Sequence, residues 1–82
     1  MADLIIREFK GGSSNPDTTL RIPGTVLKIA AKLIPQKAME ALQEQGIDLE
    51  EIVRLSENPD VKGTIAEIED HRENKRIEIA VE

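Results

Sequence analysis

The 82-residue chain predicts an α+β fold: two β-hairpins forming an antiparallel sheet, with two or three short helices between them packed on one face, ββαααββ in chain order. Three observations carry this. In the closing run RIEIAV, residues 76–81, Ile77, Ile79 and Val81 alternate, as they must in a strand with one covered face. The opening run LIIREF, residues 4–9, is apolar and β-branched. Between them PQKAMEALQEQGIDLEEIVRL, residues 35–55, spells two helices and their joint.

The elements follow in order. After the first strand, KGGSSNPDT at 10–18 carries every turn signal and reads as a loop. Residues 19–22, TLRI, alternate and form the second strand, ended by Pro23 and Gly24. Residues 25–34 read as the first helix, capped by Gly24 or Thr25. Pro35 ends it, because the residue before proline is pushed out of the α region. Pro35 itself suits the first turn of the next helix, 35–45, whose apolar positions are Ala38, Met39 and Leu42. Gly46 supplies the left-handed residue that stops this helix. Asp48 opens a third helix, 49–57, with Glu51 completing a capping box and Ile47 and Ile52 a hydrophobic staple. The third strand, 61–69, is irregular. Ile65 and Ile68 have opposite parity, so either both faces are partly covered or a bulge near Gly63 or Ala66 shifts the register. DHRENK, 70–75, is the polar turn into the last strand. The order of the strands is not readable at this level.

Composition narrows the function. Residues 1–82 make a single domain. There is no cysteine, hence no disulfide and no thiolate chemistry. The N-terminus lacks the basic segment and apolar run of a secretory signal, and no stretch approaches a membrane span, so the expected compartment is the cytoplasm. The single aromatic, Phe9, leaves no platform on which bases could stack. The net charge of −5 argues against a nucleic-acid partner. The charge is also uneven: residues 1–37 hold six basic and three acidic groups, residues 38–82 five and thirteen. That asymmetry favours head-to-tail contacts if it is more than a solvated surface.

The runs LKIAAKLIP, QGIDLEEI and GTIAEIED…RIEIAVE resemble a small uncharacterised bacterial domain. That domain often accompanies SHOCT-like helical segments in proteins linked to cell-envelope stress. The resemblance covers nearly the whole chain after residue 19. Its motifs are structural, and it implies no catalytic residue and no cofactor.

Glu67, Glu69 and His71 share one side of the third strand if it runs that far, and Glu78 could approach from the facing strand. These are ligand types for zinc or another divalent metal. With one histidine in the chain, an exposed polar face is the stronger reading, and no metal or cofactor is expected. Ser13, Ser14, Thr18 and His71 have no spacing that supports nucleophilic catalysis. Gly11 and Gly12 precede a strand rather than the lysine and helix of a phosphate loop.

The segment 26–34 is the most informative for function. Seven of its nine residues are apolar, and Lys28 and Lys32 share the only polar edge. That exceeds the single stripe of a surface helix. The helix is therefore either central in the monomer, or turned with a second apolar face to a partner, or laid on an anionic membrane surface. The leading expectation is a non-catalytic protein-interaction or regulatory module, a homodimer or bound to another protein, with Val26, Ile29, Ala30 and Leu33 at the interface and sheet edges as a second route. The alternative is a peripheral membrane-surface adaptor using Arg21, Lys28 and Lys32. A small metal-dependent enzyme built on Glu67, Glu69 and His71 ranks third.

Overall fold

In the computed structural model, which describes residues 2–82, the first and last strands lie side by side at the centre of one sheet. Strand β1 is Leu4–Lys10, β2 Thr18–Ile22, β3 Gly63–Asp70 and β4 Lys75–Val81. The order across the sheet is β2-β1-β4-β3, and every neighbouring pair is antiparallel. Each hairpin thus contributes one central and one edge strand. Backbone bonds between Asp3 and Glu82, 2.6 and 3.0 Å long, extend the central pairing past Leu4 and Val81.

Alternation sorts the two sheet faces. Leu4, Ile6, Ile22, Ala66, Ile77 and Ile79 are buried in the core beneath the helices. The opposite face carries Ile5, Arg7 and Phe9 of β1 beside Ala80, Glu78 and Arg76 of β4, as the register requires. Polar groups dominate it. Arg7 pairs with Glu78 at 3.6 Å and Glu82 at 2.5 Å, and Arg76 stacks 4.3 Å from the Phe9 ring centre. Ile5 is nonetheless fully buried there. Its cross-strand neighbours are Arg21 and Ala80.

The irregularity of β3 is a bulge. The register with β4 shifts between Thr64 and Ala66, so Ile65 is the extra residue. Ala66 then opposes Ile79 and Ile68 opposes Ile77. The opposite parity of Ile65 and Ile68 is reconciled by the added residue, and both side chains lie against the core.

The expected continuous helix at 25–34 is instead broken. A 3₁₀ turn, Gly24–Val26, leads into one α-helical turn, α1, Leu27–Ala30, and a second 3₁₀ turn, Ala31–Leu33. Val26 (φ −115°, ψ 8°) and Ala30 (φ −89°, ψ 6°) drop into the bridge region at the two junctions. No side chain caps any of the three pieces, so neither Gly24 nor Thr25 plays the expected role. Threonine, valine and isoleucine in the run also weaken regular helix. Ile34 turns extended, ψ 125°, ahead of Pro35 as expected.

Helix α2, Gln36–Glu44, and α3, Leu49–Glu57, lie close to their expected bounds. Pro35 sits at the N-cap of α2 rather than inside its first turn. The joint between them is a Schellman motif. Gly46 has φ +75°, its amide donates to Gln43, and the Ile47 amide donates to the Leu42 carbonyl, both at 2.9 Å. Helix α2 packs on β3 and β4, while α3 packs on the segment that contains α1. Ala38, Ala41, Leu42, Ile52 and Val53 close the core from the helix side.

Candidate interaction surface

Among the described residues three large apolar side chains remain in water, and all three belong to the broken segment. Ile29 is 80% exposed, Leu33 61% and Val26 40%. Steps of three and four residues put them on one side of the segment. Leu27 and Ile34 point the other way and are buried. Ala30, expected in the same surface, is half-buried and packs on the core. The segment therefore has two apolar sides, one used by the monomer and one left over.

Lys28 and Lys32 are exposed beside this stripe. Arg21, grouped with them in the membrane reading, is not. It opposes Ile5 on the sheet face away from the helices and pairs with Asp3 at 2.8 Å. The three cations do not converge.

Sequence reasoning missed the groove beside the stripe. Lys28, Leu49, Glu50, Val53, Arg54 and Glu57 line a concavity of about 500 Å³ between α1 and α3. Leu49 and Val53 supply its apolar lining, and Lys28, Glu50, Arg54 and Glu57 its charged lining. Arg54 is held by Glu51 at 2.6 Å and Glu50 at 3.7 Å. The signal was available: Leu49 and Val53 are four apart, and Glu50, Arg54 and Glu57 fall one helical turn apart beside them.

The polar candidates gather elsewhere. Gly11, Gly12, Ser13, Glu69, Asp70, His71, Asn74, Lys75 and Arg76 line a shallow cleft of about 230 Å³ where the two hairpin ends meet. Ser13 and His71 thus share a cleft, although Ser14 and Thr18 are not among its lining. The Ser13 hydroxyl is committed to the Asn15 backbone, donating to its carbonyl at 3.0 Å and accepting from its amide at 3.2 Å. The Gly11 amide donates to the Asn74 carbonyl at 2.7 Å, so it is not turned to a ligand. The His71 ring is 88% exposed and lies 3.9 Å from Glu69. Glu67 faces Glu78 across the β3–β4 ladder, and Glu69 faces Arg76. Among the described residues no three His, Asp or Glu side chains come together as a metal site would require.

Charge at this end is organised by Glu73 and Asp70. Lys37 of α2 reaches both, pairing closely with Asp70 and at 3.4 Å with Glu73. Lys75 meets Glu73 at 2.9 Å. The hydrogen bond from Lys75, then that from Lys37, holds the Glu73 carboxyl below its ordinary value, and the same Glu73 contact raises Lys75. These contacts tie α2 to the β3–β4 turn.

Residues 4–80 match the family model described as YvlB-like protein, C-terminal domain. The chain belongs to this family. The match begins at the first residue of β1, takes in every helix and ends at Ala80, one residue before the end of β4, so it covers nearly all of the fold described above. No curated protein and no solved structure matches the chain. No helix among the described residues is long and apolar enough to cross a membrane.

Proposed function

We propose that this YvlB-like C-terminal domain is a non-catalytic interaction module that pairs with a second copy of itself through Val26, Ile29 and Leu33. The observation that carries this is the exposure of Ile29 and Leu33 at 80% and 61%, on one side of a segment whose other side already fills the core. Covering a leucine or isoleucine is worth roughly 1.5–3 kcal/mol. Exposed apolar side chains gathered on one short segment are candidates for a contact surface. Two-fold pairing is the simplest closed arrangement for one such stripe.

Light scattering across a dilution series tests the reading. The wild-type chain is expected to reach a dimeric mass by roughly 100 μM, because mass action favours the dimer at high concentration. Ile29→Glu with Leu33→Glu should remove the dimer and leave the circular-dichroism spectrum unchanged. A monomeric wild type throughout would overturn the reading.

The second reading, a membrane-surface adaptor, rests on the exposed Lys28 and Lys32 flanking the same stripe. It is weakened by Arg21 lying across the sheet and by the short, broken helical segment. The expected outcome is no co-sedimentation with anionic vesicles at physiological salt. Binding that is abolished by Lys28→Glu with Lys32→Glu would promote it.

The sequence resemblance extends the proposal to a setting. A cysteine-free domain suits a reducing compartment such as the cytoplasm. In proteins that carry SHOCT-like segments and answer envelope stress, one adhesive stripe would serve to bring chains together.

A further inference from the structure

We infer that the groove between α1 and α3 is the receptor for the apolar stripe of a second copy, with Ile29 seated on Leu49 and Val53 and with Lys32 set against Glu57 of the partner subunit. This rests on the self-association proposed above and adds where the second copy sits. Two independent features point to it. The first is shape and polarity. The groove is a concavity of about 500 Å³ lined by Leu49 and Val53 among charged side chains, and through Lys28, next to Ile29 in the chain, it adjoins the stripe. Ile29 is the most exposed large apolar side chain among the described residues, so the stripe offers a knob and its neighbour offers a hole.

The second feature is charge. Lys28, Lys32 and Glu57 are among the described charged residues that take part in no ion pair, as are Glu40, Glu44, Asp60 and Lys62 elsewhere on the surface; of the two acids lining the groove, Glu50 is held by Arg54 and Glu57 is not. Lys28 already lines its own groove. Lys32, one turn further on, is the cation left at the far edge of the stripe. Glu57 is the acid lining the groove that has no ion pair among the described residues. A two-fold contact that places stripe in groove brings Lys32 and Glu57 together twice, because an isologous interface repeats every contact. The same arrangement sets the basic first part of the chain against the acidic second part, as the division of charge at residue 37 favours.

Reciprocal charge exchange tests the assignment. Lys32 and Glu57 are both exposed, so Lys32→Glu and Glu57→Lys should leave the fold intact. Each variant alone sets like charges against each other twice and should weaken the dimer about tenfold or more. An equimolar mixture of the two restores both pairs and should return the dimeric mass. Wild-type dimerisation should also weaken as salt rises, through screening of these exposed groups. If the wild type dimerises but either single variant dimerises equally well, or the mixture stays monomeric, the groove assignment falls and the self-association reading stands. If the wild type is monomeric, both fall together.

Discussion

The Asp48 carboxylate accepts the backbone amide of Glu51 at 2.9 Å, which makes it the N-cap of α3. Asp48 itself is extended, as an N-cap residue must be, and Glu50 and Glu51 in the first turn add negative charge where the helix dipole favours it. The reciprocal half of the capping box is not used. The Glu51 side chain, expected to turn back to the cap, pairs forward with Arg54. Asp48→Ala should therefore cost about 1 kcal/mol in urea unfolding. A change smaller than about 0.3 kcal/mol would show that the cap contributes little.

Gly46 occupies φ +75°, and no atom outside its immediate neighbours lies within 4 Å of the position a Cβ would take. The cost of a side chain there is thus backbone conformation alone. Gly46→Ala should destabilise by about 1 kcal/mol, and Gly46→Asn by less, because asparagine tolerates left-handed geometry. Equal losses for the two variants would argue for a steric origin.

Two isoleucines of the chain separate monomer core from leftover surface. Ile79 is fully buried on the central strand β4, whereas Ile29 is 80% exposed. Ile79→Ala should cost about 2–5 kcal/mol, a large share of what so small a domain has. Ile29→Ala should change the stability of the monomer by less than about 0.5 kcal/mol, measured at a concentration too low for pairing. A large loss at Ile29 under those conditions would place it in the monomer core.

The Glu73 carboxyl should titrate below its ordinary 4.5 in an NMR pH series, and Lys75→Gln should move the midpoint up. Because its folded value lies below the unfolded one, ionised Glu73 adds stability above the ordinary value. That addition is lost as the pH falls through the folded value. The group is at the surface, so the effect on stability is small, and the titration midpoint is the sensitive readout. An unchanged midpoint in Lys75→Gln would leave Lys37 as the controlling contact.

The local signals were legible from residue order alone. A glycine stop, an aspartate cap and two staple positions act within a few residues of one another, so the α2–α3 joint could be placed before any tertiary contact was known. The alternation of Ile77, Ile79 and Val81 likewise declared one covered face of β4. The extra residue of β3 was readable as two alternatives, and pairing with β4 chose the bulge at Ile65.

What only the tertiary structure decided is non-local. The order β2-β1-β4-β3 depends on β1 pairing with β4 across nearly the whole chain, and nothing in either strand names its partner. Ile5 and Ala80 are buried on the face away from the helices, beside each other across the β1–β4 ladder, a juxtaposition that only the strand pairing creates. The break in the segment 24–33, and the choice of which apolar side faces inward, were likewise set by packing. Seven apolar residues in nine are compatible with a central helix and with a sticky one. Only the placement of Leu27 and Ile34 against the core, with α3 alongside, turned Val26, Ile29 and Leu33 to the outside. The sequence stated that the segment held more apolar surface than one face could use, and the packing of the other elements settled which residues were left in water.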